Sequence, residues 1–159
     1  MTTRRQATLY LQPPASERIE ALRARFNPVQ FALIRAHVTL CREDEVNDWK
    51  DLAARLEALV KIHVPLTFGA PVREADLVTL PAIGPTEEFD ELRGSLLSVE
   101  GVPARKHKPH ITLVHPRNGS CSDADFATIR AECHPFTMTF RVVTIIEQVE
   151  GGRWNEGVT

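Results

Sequence analysis

The pattern that most restricts this chain is four residues long and occurs twice: His37-Val38-Thr39-Leu40 and His110-Ile111-Thr112-Leu113, 73 residues apart. Each copy sits in a short run of apolar and β-branched residues, which reads as a strand. On a strand, alternate side chains share a face. His37 and Thr39 therefore point one way, and Val38 and Leu40 the other. The same holds for His110 and Thr112 against Ile111 and Leu113. Each strand buries an aliphatic pair and offers an imidazole beside a hydroxyl. One such match in 159 residues means little. Two matches at corresponding places in a repeated order of elements mean more.

The order does repeat. "RRQATLYL" reads as a strand, and Ser16 as the N-cap of a helix with Ile19, Leu22 and Phe26 on one face, ended by Asn27 and Pro28. "FALIRAHVTLC" reads as a strand, "REDEV" as the start of a helix with Val46, Trp49, Leu52 and Leu56 in its apolar stripe, and "VPLTFGA" as a third strand. "READLVTL" then reads as a strand. After a loop over 81–86, Pro85 and Thr86 open a helix through Phe89, Leu92 and Leu96. "KPHITLV" is a strand, "SCSDAD" starts a short helix, and "FTMTFRVVTIIEQV" reads as one long strand. Gly151 and Gly152 predict a hairpin turn into a last strand, "RWNEGVT". The expected fold is α+β: one domain of two lobes, about 1–80 and about 81–159. Each lobe is an antiparallel-rich sheet with helices outside and an HxT strand facing a central cleft.

Two opposed His–Thr pairs suit in-line displacement at a phosphodiester. One group must take a proton from the attacking oxygen, and another must give one to the departing oxygen on the far side of phosphorus. Histidine can do either near neutral pH. The threonine hydroxyls can donate to the non-bridging oxygens. This chemistry needs no metal and no cofactor.

Composition narrows the ligand. The net charge is −2, whereas a protein gripping long nucleic acid is usually basic. A small nucleotide or the end of an RNA strand is the expected partner, bound by a monomer, with no duplex and no membrane. No apolar run approaches the roughly 18 residues of a membrane span. Three cysteines with no CxxC spacing fit reduced thiols, and the chain reads as cytoplasmic.

With "AHVTL" and "KPHITL" as the matching residues, the chain resembles the 2H phosphoesterases, the superfamily of 2′-5′ RNA ligase-like proteins and cyclic phosphodiesterases. "GGRW" near the end also looks familial. The resemblance spans nearly the whole chain. It implies a bilobal α+β fold and metal-independent hydrolysis of 2′,3′-cyclic phosphodiesters, or 2′-5′ RNA linkage chemistry. A module of the same fold that holds a nucleotide without turning it over is the alternative. By the resemblance, His110 activates water and His37 protonates the leaving oxygen, and the reverse assignment stands open.

Further candidates follow from position. Arg35, Lys106 and Lys108 share strand parity with the motif histidines and are expected to reach phosphate or solvent. His115 has the opposite parity to His110 but lies where the strand ends. Tyr10 and Trp154 are candidates for stacking on a base. Phe68 reads as core and Cys41 as an inert buried thiol. His63, His107 and His134 show no ligand-like partnership, and a zinc site from His107, His110 and His115 would need inconsistent strand faces.

Overall fold

Both HxT runs form strands, β2 (His37–Cys41) and β6 (His110–Val114), with the same alternation of half-buried and buried residues. Val38, Leu40, Ile111 and Leu113 are all 2% exposed or less. Truncating Leu40, Ile111 or Leu113 to alanine removes about 2–5 kcal/mol of stability. The buried face is thus fixed by aliphatic residues, and the His–Thr pairs are left on the other face.

The computed structural model describes residues 2–99 and 102–156. Around the motif strands run β1 (Thr3–Tyr10), α1 (Ala15–Phe26), α2 (Pro28–Leu33), α3 (Trp49–Glu57), β3 (Val64–Phe68), β4 (Val72–Glu74), β5 (Leu77–Ile83), α4 (Glu87–Leu97), α5 (Asp123–Glu132), β7 (Phe136–Phe140), β8 (Thr144–Val149) and β9 (Asn155–Glu156). Among the described residues the strands form one nine-stranded sheet, ordered β7-β3-β5-β6-β2-β1-β8-β9, with β4 paired to β5. Every ladder is antiparallel. This is the α+β architecture expected from the sequence.

The sheet interleaves the two halves of the sequence. β3, from the first half, lies beside β5 and β7. β8, near the end, lies beside β1. The helices cross over as well: α1 packs against β6, and α4 against β2 and β3. The two HxT strands are direct neighbours in this sheet, joined at Val38 and Ile111. Among the described residues no helix is long and apolar enough to cross a membrane.

Several elements differ from the sequence expectation. Ser16 is not the cap of α1; the helix begins after Pro14, and its first free N–H groups bond the carbonyls of Gln12 and Pro14. α1 does end at Asn27 as expected, but Pro28 fits the first position of a helix and starts a further one, α2. "FALIR" is therefore mostly helical, and β2 begins only at His37. "REDEV" gives a single 3-10 turn, Glu43–Glu45. The helix starts later at Trp49, where the Asp48 carboxylate accepts from the amides of Lys50 and Asp51. "READLVTL" is a hairpin, β4 to β5, turned at Ala75 with φ 53°. β5 runs through Ile83, so the loop before α4 is shorter than 81–86. The long strand divides into β7 and β8, since these pair with β3 and β1 at opposite sides of the sheet. The glycine hairpin is present, with Gly151 at φ 70° and β9 returning along β8. The last three residues of "RWNEGVT" lie outside the described residues.

Candidate active site

β2 and β6 meet at a single register point, Val38 opposite Ile111. In antiparallel strands, one residue to either side sets His37 beside Thr112 and Thr39 beside His110. The four side chains line one cleft of about 410 Å³, a size that suits a nucleotide. Among the described residues neither threonine hydroxyl is taken up by a protein partner, so both can donate to a ligand.

The imidazoles are held alike. His37 Nδ1 lies 2.7 Å from the Arg35 carbonyl, and His110 Nδ1 lies 3.1 Å from the Lys108 carbonyl. A carbonyl only accepts, so in each ring Nδ1 carries the hydrogen and the neutral form leaves Nε2 bare. Burial pushes His37 down to about 4, against the raising effect of the Arg35 carbonyl; the charge of Arg23 lowers it further. At neutral pH the His37 imidazole is therefore uncharged, with a free lone pair at Nε2.

The cleft is basic although the chain is not. Arg4, Arg5, Arg23, Arg42 and Arg117 line it against only Glu43 and Asp44. Arg23 is 2% exposed. It pairs with Glu20 and donates to the Ile34 carbonyl at 2.8 Å. Its counterpart on α4, Arg93, is equally buried, pairs with Glu45 and donates to the carbonyls of Leu40 and Arg105. Glu45 is held near 2 by Arg93, by the Arg42 amide and by Arg105, against the cost of its burial.

The other sequence candidates divide. His115 lines the cleft. Its backbone N–H donates to the buried Asn27, and its Nδ1 accepts from the Arg117 amide at 3.0 Å, which puts its hydrogen on Nε2. Burial and Arg117 lower its proton affinity. Trp154 lines the cleft too, largely buried, with the Arg4 guanidinium 5.4 Å over its ring. Arg35, Lys106, Lys108 and Tyr10 are not brought into it. The strands start at the histidines, so the parity that would have aligned Arg35, Lys106 and Lys108 does not reach them. All three are exposed. Arg35 stacks on Tyr10 at 4.3 Å, and Tyr10, directly opposite His37 on β1, meets its ring edge-on. Cys41 is buried, and burial raises its thiol to about 12. Phe68 is core.

His107 lines the cleft although sequence reasoning set it aside. It sits 6.1 Å from the His110 ring and stacks on Phe89. It lies in an irregular stretch where no periodicity speaks. Arg23 was also missed, but a signal existed: the 70-residue offset from Ser16 to Thr86 also relates Arg23 to Arg93. Among the described residues no three His, Cys, Asp or Glu side chains gather as a metal-holding group.

No protein-family model matches the sequence, and no curated protein does. Solved structures do match in fold. E. coli LigT complexed with phosphate is 20% identical, with a TM-score of 0.62, covering 98% of this chain and 93% of that one. LigT complexed with ATP gives 18% and 0.63 over 98% and 95%. A crystal structure described as a phosphoesterase gives 18% and 0.63 over 97% and 94%. At such identities the likeness is one of fold, and it runs nearly end to end: this chain has the fold of E. coli LigT.

Proposed function

We propose that the chain is a metal-independent phosphodiesterase that hydrolyses 2′,3′-cyclic phosphodiesters of nucleotides or RNA ends, with His37 and His110 as base and acid. The observation that carries this reading is the matched pair of imidazoles. They sit on neighbouring strands, each with Nδ1 committed to a carbonyl two residues back and each beside the other motif's threonine. The fold likeness to LigT structures bound to phosphate, ATP and 3′-AMP adds support, since those ligands are phosphates and nucleotides.

Burial keeps the His37 ring neutral at pH 7, so it is free to accept a proton and not charged to give one, the reverse of the assignment that the family resemblance implies. His37 Nε2 takes a proton from water as the water oxygen attacks phosphorus. The bond from phosphorus to one ribose oxygen breaks, and His110 gives that oxygen a proton. The product is a monophosphate, and solvent restores the two protonation states. Thr39 and Thr112 donate to the non-bridging oxygens as charge builds there. The basic lining opposes the charge of the phosphate.

The test is incubation with a 2′,3′-cyclic nucleotide, following the 2′- and 3′-monophosphates separately. Either product supports the proposal. Binding measured by calorimetry with no product would make the protein a nucleotide-holding module instead.

A further inference from the structure

His37 Nδ1 donates to the Arg35 carbonyl. That carbonyl belongs to the peptide unit joining Arg35 to Ala36. In a planar trans peptide the C=O and the N–H of one unit point in opposite directions. The N–H of this unit, on Ala36, donates to Glu20 Oε2 at 3.1 Å. Glu20 Oε1 is held by Arg23, and the other guanidinium nitrogen of Arg23 holds the Ile34 carbonyl. An ion pair on α1 thus grips the N–H of the peptide that orients His37 and, through Arg23, the carbonyl of the peptide before it.

We propose that Glu20 is a positioning residue for His37, acting through the 35–36 peptide as a carboxylate–peptide–imidazole relay. A carboxylate on the N–H polarises the peptide and makes its carbonyl a stronger acceptor. The stronger acceptor holds Nδ1–H in place and favours positive charge on the ring as Nε2 takes a proton. A carboxylate bonded directly to a histidine does the same in hydrolytic triads. Arg23 fixes the carboxylate. No bond to Glu20 forms or breaks.

His110 has no such relay. Its acceptor carbonyl belongs to the Lys108–Pro109 peptide, and proline has no N–H to grip. The relay is a property of one histidine only, which makes it separable by experiment.

The catalytic half of this inference rests on the phosphodiesterase reading, and the experiment separates the two. Protein labelled with ¹⁵N at histidine reports which ring nitrogen of His37 carries hydrogen, without any substrate. Two variants are compared: Glu20→Gln, which keeps an acceptor for Ala36, and the double variant Glu20→Ala/Arg23→Met, which leaves no unpaired buried charge. In whichever folds, the His37 signals should move toward a mixture of the two tautomers while those of His110 stay. For a 2′,3′-cyclic nucleotide, Glu20→Gln, which leaves the cleft arginines in place, should lower kcat about 10-fold with KM within about twofold. Folded variants with unmoved His37 signals overturn the relay, whatever their activity. A tautomer shift with unchanged kcat overturns the positioning role. A tautomer shift in a protein whose wild type makes no monophosphate supports the relay and defeats the phosphodiesterase reading alone.

Discussion

The strands around His37 and His110 are copies in pattern, burial and ring hydrogen bond, yet they are secured differently. Glu20 and Arg23 grip the segment before His37 from α1. The segment before His110 is held by its neighbour β5, with the Ala82 amide donating to the Pro109 carbonyl at 3.0 Å. The buried arginines diverge in the same way. Arg23 pairs with a glutamate on its own helix, whereas Arg93 reaches across to Glu45 beyond the end of β2. Duplication has kept the backbone device that sets each imidazole. The supports differ, which fits the proposal that one strand supplies the base and the other the acid.

The comparison can be broken or sharpened at several points. The largest effect is expected at the histidines: His37→Ala and His110→Ala should each lower turnover about 100-fold or more while the protein stays folded. Near-normal turnover in either would end the two-histidine account. Thr39→Val and Thr112→Val should cost less, up to about 100-fold in kcat each. Similar losses would show that both hydroxyls face one phosphate, and a loss confined to one would place the charge on that side. Stability should separate the arginines. Arg93→Met takes the buried partner from Glu45, which is 5% exposed, and leaves it the Arg105 guanidinium and the Arg42 amide; it should cost about 3 kcal/mol by denaturant unfolding. Arg23→Met leaves Glu20 partly open to water and should cost clearly less.

A further effect is in pH. His37 has its folded value near 4, below the roughly 6.5 of an unfolded histidine. Between these values the unfolded chain binds more protons. The contribution of His37 to stability is therefore complete above about 6.5 and lost as pH falls toward 4. Melting temperatures from pH 7 to 4 should fall less steeply in His37→Ala than in wild type. Parallel curves would show that His37 is not the depressed group.

The site was legible wherever a period of two governed the side chains. Val38, Leu40, Ile111 and Leu113 alternate with the four polar residues, and the sheet bears that alternation out. What stood outside regular structure was not legible. His107 and Arg42 reach the cleft from irregular segments, and Arg35, Lys106 and Lys108 miss it because the strands start after them. The fold failed to show where one stretch of residues serves two partners. "FTMTFRVVTIIEQV" has continuous strand propensity, but it spans two ladders on opposite sides of the sheet, and no local signal marks the crossing. The acidic net charge hid a basic cleft, because a sum over the chain says nothing of where its arginines gather.

The central claim is that two histidines suffice for the cleavage. Its most direct test is the rate of 2′,3′-cyclic nucleotide hydrolysis by the wild-type protein with and without excess chelator. The account predicts monophosphate formed at the same rate in both. A rate that collapses in chelator and returns on adding a divalent metal ion would contradict it.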